Sequence, residues 1–289
     1  MPELPEVETI ARKLSPILTG REIRTVDLRW ARSLSTPTPT EFQQRLCGQT
    51  IENITRRGKY LRLYLSQDQL LIHLRMSGDL FTTEGIYIPE KHDRLILGLS
   101  GDLSLIFNDT RKFGRIWLTG DPAQVLGSLG PEPLDDDFTP QILFARLHNR
   151  HRQLKPLLLD QSFLAGMGNI YTDEALHIAG LNPRRHSDSL TEHQAAKLWQ
   201  ALRDVLQEGI RRNGASIDWV YRGGDFQNYF RVYGREGEAC PVCKTSIEKL
   251  IIGQRGTHIC PVCQPIEEGF SQESETDSLL QSKLPSEYY

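Results

Sequence analysis

Two copies of the tetrapeptide Cys-Pro-Val-Cys, at 240–243 and 260–263, restrict the folding of this 289-residue chain more than any other feature. Their spacing, Cys240-x2-Cys243-x16-Cys260-x2-Cys263, is that of a four-thiolate zinc site. Each CxxC turn aims two sulfurs to one side, and a tetrahedral Zn²⁺ needs two such pairs. The intervening TSIEKLIIGQRGTHI alternates as a β-hairpin does, with Gly253 and Gly256 near its turn. That puts Arg255 at the tip, available to a partner such as a phosphate. Four inert buried thiols and a redox CxxC pair are the competing readings, but the strand–helix context of a redox pair is missing. Protein fills all four positions, so a single structural zinc is expected. Cys47, the fifth cysteine, reads as a buried apolar residue. An odd count clustered in this way fits a reducing, cytoplasmic compartment better than a disulfide framework.

Charge becomes informative only once it is located. The chain carries a net −3, yet the stretch after Cys263 holds Glu267, Glu268, Glu273, Glu275, Asp277 and Glu287 against Lys283 alone. Residues 1–264 then hold 33 basic and 31 acidic side chains, so the body is mildly basic. Hydrophobic residues are 38% and charged residues 25%, the balance of a water-soluble globular protein. No apolar run approaches the roughly 18–20 residues of a membrane span. The opening MPELPEVETI lacks the basic and then apolar pattern of an export signal. Membrane and secreted classes are not expected.

Along the chain, Pro5, Glu6 and Glu8 suit the first turn of a helix, and Val7, Ile10 and Leu14 space one apolar stripe. Pro16 and Gly20 are expected to end it. From Glu22 to about Leu118, short alternating runs such as YLRLYLS, LLIHLRM and LSLIFND predict a mostly antiparallel sandwich or barrel. The Pro- and Asp-rich GPEPLDDDFTP reads as a linker near 121–138. Residues 139–212 read as helices, most clearly where Leu198, Leu202, Val205, Leu206 and Ile210 share a face. The tail from 265 is polar and reads as disordered.

The chain start is a possible reagent. A small residue after Met1 permits removal of that methionine, leaving Pro2 as a free secondary amine. An α-amino group has a pKa near 8 against about 10.4 for lysine, so much more of it is unprotonated at neutral pH. Attack of a secondary amine on a sugar C1′ gives an iminium ion, a built-in electron sink. Glu3 lies beside it as proton donor or acceptor, and Glu6, one turn on, can reach a second element.

These residues lie within strings that resemble the formamidopyrimidine-DNA glycosylase family almost throughout, up to Cys263. The strings are MPELPEVET, RRGKYL (56–61), IHLRMSG (72–78), DTRKFGRIW (109–117) and LGPEPLDDDF (129–138). KPLLLDQSFLAGMGNIYTDEAL (155–176), VYGREGEAC (232–240) and the closing HICPVC complete the match. The resemblance implies an α+β protein with an N-terminal antiparallel β-sandwich bearing the catalytic helix (1–130). A helical domain with a helix–two-turn–helix motif (131–235), the zinc finger (236–264) and the tail (265–289) follow. It implies a base-excision-repair enzyme that removes oxidised purines and then cleaves the abasic strand by β,δ-elimination. Its implied partner is double-stranded DNA bearing oxidised bases or abasic sites, bound by a monomer with no membrane involved.

Residue by residue, the resemblance makes Pro2 the nucleophile, Glu3 the proton shuttle and Glu6 a brace between domains. It makes Lys59 a phosphate contact that assists chemistry; on position alone Lys59 is a surface lysine at a strand start. Lys155 becomes a basic residue near the lesion. Met76, Arg111 and Phe113 become the wedge that fills the gap left by a flipped nucleotide, though on spacing alone Met76 and Phe113 read as core. Gly166 and Gly168 let backbone approach a phosphate, Asn169 and Arg255 contact DNA, and His73 neighbours a phosphate.

The chain departs from the family pattern at Arg75, where many members carry glycine, and at Lys112, where arginine is frequent. The segment 214–232, GASIDWVYRGGDFQNYFRV between its end residues, is shorter than expected for the loop that caps flipped 8-oxoguanine. A shift of preference toward formamidopyrimidines or further-oxidised bases follows from that. Two other readings stand beside the first: the sister family (endonuclease VIII) that removes oxidised pyrimidines, and a silent damaged-DNA-binding module. Leu4, GNIYTDEAL and the wedge favour the purine branch, and the presence of Pro2, Glu3 and Lys59 speaks against the silent module.

Overall fold

The computed structural model describes residues 1–216 and 223–266. The tip of the shortened 214–232 segment and nearly all of the acidic tail lie outside the described residues. Helix α1 (Leu4–Leu18) forms as its stripe predicts, with Leu4, Val7, Ile10, Leu14 and Leu18 buried. Pro16 does not end it: the helix runs two residues further, to Leu18, and the burial of Leu14 and Leu18 on either side holds its last turn in place.

Behind α1 lie two sheets. Strands β1 (Ile23–Leu28), β7 (Asp93–Leu99), β8 (Leu103–Asp109) and β6 (Gly78–Glu84) form the first, antiparallel throughout. The second runs β2 (Leu34–Thr36), β9 (Arg115–Thr119), β5 (Gln69–His73), β4 (Tyr60–Leu65) and β3 (Ile51–Arg57). Only the short β2 pairs parallel, to β9. One apolar core joins both sheets to α1 and to α2 (Pro39–Leu46). Helix α2 lies where only strands are expected. Thr38 caps it and Pro39 starts it, but Phe42 and Leu46 are its only buried anchors, too few to mark a helical stripe.

A second core gathers α4 (Pro140–His148), α5 (Leu154–Leu159), α6 (Asn169–Ala179) and α7 (Glu192–Arg211), all near their expected positions. A Thr191–Gln194 capping box starts α7, and its predicted stripe is buried except for half-buried Ile210. Leu4 belongs to this core while Val7 belongs to the first, so α1 enters both. A short helix α3 (Ala123–Leu126) begins the connection between the cores. The third core is small: Val232, Cys240, Ile247 and Cys260 under the hairpin β10 (Glu248–Ile252) and β11 (Arg255–Ile259). Gly253 and Gln254, both at positive φ, form its two-residue turn. Among the described residues no helix is long and apolar enough to cross a membrane.

Candidate active site and DNA interface

The start of α1 is built into the junction of the two larger cores. Leu4 N–H donates to the Gly166 carbonyl at 3.1 Å, and Gly166 sits at φ +96, a conformation glycine adopts freely. A Cβ on Gly168 would collide with the Glu3 carboxylate. Both glycines admit the close approach of the start of α1. The Glu3 carboxylate accepts the N–H groups of Ile170 (3.0 Å) and Tyr171 (3.4 Å), facing the positive end of α6. Glu6 accepts the Glu3 N–H (2.7 Å), the Tyr171 hydroxyl (2.7 Å) and the Ala215 N–H (2.7 Å). One carboxylate thus ties α1, α6 and the segment after α7.

Pro2, Glu3 and Lys59 are all buried. Lys59 occupies the Gly58–Lys59 turn between β3 and β4, so it is not the surface lysine its position suggests. Burial holds its ammonium below the usual lysine range, against the pull of Glu3 and Glu6. Burial likewise drives the Glu3 carboxyl up, opposed by Lys59 and reinforced by Glu6, to about 7. A carboxyl poised near neutrality beside a suppressed lysine is suited to proton transfer at pH 7.

The Lys59 turn is fixed from the stretch expected to be a linker. The Glu132 carboxylate accepts Gly58 N–H (2.6 Å) and the guanidinium groups of Arg57 (2.9 Å) and Arg56. Burial alone would raise its pKa, but Arg56, the Gly58 amide and Arg57 together hold it below the usual range. Arg56 also reaches Glu8 on α1 at 2.8 Å. The 121–138 stretch is therefore a strap between cores.

Met76 and Phe113 are 42% and 48% exposed, which overturns their reading as core. The Arg111 guanidinium stands 5.0 Å from the Phe113 ring centre. Asp109 organises the loops that carry Met76, Arg111 and Phe113: it accepts the Ser77 hydroxyl, the Arg111 N–H (3.2 Å) and the Gly114 N–H (2.7 Å). Arg75 and Lys112, the two departures from the family pattern, hold φ +55 and +62, a region that costs residues with a Cβ. His73 is buried, and its Nδ1 accepts the Arg75 N–H at 3.0 Å, which puts the proton on Nε2. Burial together with Arg75 and Lys59 lowers its pKa to about 3. It is a neutral donor at physiological pH.

Lys155 is enclosed by protein partners. It has no exposed surface, and its ammonium donates to Asp173 (2.6 Å) and the Gly256 carbonyl (2.9 Å). It fastens the zinc hairpin to α6. Asp173 also accepts His258 N–H at 2.9 Å, and the Asn169 amide donates to Gly256 at 3.0 Å. Removing one partner of so buried an ion pair costs about 3–5 kcal/mol. Glu174 accepts N–H from Arg231, Val232 and Tyr233 and so fixes the approach to the zinc module. Arg255 remains exposed at the hairpin tip. Asp109, Glu132, Asp173 and Glu174 are absent from the sequence-predicted site; their signal is an acidic residue inside each matching string.

The four cysteine sulfurs lie within 4.8 Å of one another, with Cys240–Cys263 at 3.9 Å and Cys243–Cys260 at 3.3 Å. Zn–S bonds of about 2.3 Å in a tetrahedron separate sulfurs by about 3.8 Å. The donor set fits one structural zinc, held by all four thiolates. Cys47, by contrast, is exposed, its thiol donating to the Arg24 carbonyl at 3.1 Å, so it is not a core residue.

A sandwich and a helical core that share α1, followed by a four-cysteine hairpin, are the architecture of a DNA glycosylase. Residues 1–116 match the model of the formamidopyrimidine-DNA glycosylase N-terminal domain. Residues 129–220 match the H2TH domain of the same enzymes, and 237–266 the zinc finger found in FPG and IleRS. The formamidopyrimidine-DNA glycosylase of Pelotomaculum thermopropionicum is 43% identical over 92% of this chain and 100% of its own length. That of Chloroflexus aurantiacus is 47% identical over 91% and 98%. The Lactococcus lactis enzyme, solved with DNA containing N7-benzyl-Fapy-dG, superimposes with a TM-score of 0.86 at 37% identity, covering 92% of this chain and all of that one. The same enzyme bound to abasic-site DNA superimposes equally well. The chain belongs to the formamidopyrimidine-DNA glycosylase family, as the sequence strings imply.

Proposed function

We propose that this glycosylase excises oxidised purines from duplex DNA and cleaves the abasic strand through the Pro2 amine. The observation that carries the reading is the buried start of α1, with Glu3 facing both Lys59 and the N-terminus of α6. After loss of Met1, the Pro2 nitrogen attacks C1′ of the flipped nucleotide and the bond from C1′ to the base breaks. Glu3, titrating near neutrality, exchanges the protons this requires. The iminium withdraws electrons from C2′; loss of a C2′ proton expels the 3′ phosphate, and a second elimination expels the 5′ phosphate. Lys59 neutralises phosphate beside the reacting sugar.

Met76 and Phe113 fill the vacated stack, and Arg111 offers hydrogen bonds to the opposite base. His73, Asn169 and Arg255 contact the backbone, the first without charge. The zinc holds the hairpin that carries Arg255. The bacterial sources of the relatives support action in the cytoplasm. The test is a duplex carrying a formamidopyrimidine opposite cytosine: free base and a one-nucleotide gap with phosphate at both ends are expected. Free base with an intact abasic strand would reject the lyase half.

A further inference from the structure

Outside the active site and zinc finger, among the described residues one other cluster offers three metal-ligating side chains: His151, His186 and Asp188. Their ligand atoms lie within 4.8 Å of one another. His151 comes from the α4–α5 loop; His186 and Asp188 come from the α6–α7 connection. His151 Nδ1 and Asp188 Oδ2 are 2.8 Å apart, and the two imidazole centres are 4.3 Å apart.

The two loops are stapled where they carry these residues. Ser187 N–H donates to the Arg152 carbonyl and Leu154 N–H to the Arg185 carbonyl, both at 2.9 Å. The Ser187 hydroxyl donates to the Arg150 carbonyl, and Gln153 bridges to His186. The donors therefore converge on a rigid frame, and little ordering entropy opposes a ligand. The neighbouring arginines are held by other partners. Arg152 pairs with Asp160 at 2.8 Å, and Arg185 donates to the Ser189 carbonyl and the Gln194 side chain.

We propose that His151, His186 and Asp188 form a second metal site, for a borderline divalent ion such as Zn²⁺. Two imidazoles and one carboxylate suit zinc, with water completing the shell, and do not suit Mg²⁺ or Ca²⁺, which require oxygen donors. The metal replaces the proton shared by His151 and Asp188 and clips the α4–α5 loop to the α6–α7 connection. It thereby braces the helical core independently of the four thiolates. His151 is 70% exposed at its side chain, so replacing it leaves the fold intact.

The experiment is calorimetric titration of Zn²⁺ alone into protein that already holds its four-cysteine zinc. A further single equivalent is expected, together with a higher melting temperature. H151Q and D188N are each expected to lose that equivalent at least tenfold in affinity while keeping one zinc per chain. Wild type saturating at one zinc overturns the proposal. So does a second equivalent that persists in both variants, or Mg²⁺ binding to the same groups as tightly as Zn²⁺.

Discussion

The β-sandwich and the zinc hairpin each carry residues that the proposed function places against DNA, and they secure those residues by opposite means. The sandwich encloses some two dozen apolar side chains drawn from α1, α2 and both sheets. The hairpin core has Val232, Ile247 and cysteines that the metal must hold in place. Burial of carbon is worth roughly 25 cal/mol per Å² and needs no cofactor. Four thiolates gathered on so small a core depend on zinc for their arrangement. On the proposed function, Pro2 and Glu3 therefore rest on α1, which the sandwich and helical cores hold together without metal, while Arg255 rests on the metal-dependent hairpin.

Removing zinc should separate the two regions most sharply. Structural zinc contributes on the order of 10 kcal/mol to modules of this kind. Chelation should abolish DNA binding in a mobility-shift assay and leave the main unfolding transition of the sandwich near its original temperature. A chelated protein that binds DNA unchanged would mean that the Lys155–Asp173 contact, not metal, holds the hairpin. Next in size, Pro2→Gly, which leaves a primary amine in place of the secondary one, should lose most strand cleavage with DNA affinity retained. Equal cleavage by the variant would move the nucleophile elsewhere.

Glu3 gives a prediction in pH. Its folded pKa of about 7 stands above its ordinary value of 4.5. The protonated form is therefore favoured by folding, a contribution fully present below about 4.5 and lost as pH rises through about 7. Glu3→Gln should match wild type in stability at pH 4 and exceed it at pH 8, and its activity profile should lose the limb near 7. An unchanged limb would assign it to another group. Arg255→Ala should have the smallest effect, reducing the salt dependence of binding by about one phosphate contact with little change in the catalytic rate. A lost rate would place Arg255 in the chemistry and blur the division between regions.

Much of this arrangement was legible before any coordinates. The stripes of α1 and α7, the alternating strands and the cysteine spacing each repeat a local period or a fixed interval. Helix α2 was hidden because two buried anchors make no period. Glu132 was unreadable in a Pro- and Asp-rich stretch, since its partners Arg56, Arg57 and Gly58 lie some 75 residues earlier. Lys155 shows the reverse case: the family strings point it at DNA, yet Asp173 and the Gly256 carbonyl enclose it. Burial of a charge is decided by tertiary partners, and spacing carries no record of them.

The central claim is that the chain's own second residue forms the covalent bond to the sugar. Borohydride reduction during reaction with an abasic-site duplex and with an 8-oxoguanine–cytosine duplex tests it, with the cross-linked peptide mapped by mass spectrometry. The account predicts a cross-link to Pro2 in protein that has lost Met1, on the abasic duplex in every case. A cross-link mapped to Lys59, or none from processed protein, would contradict it.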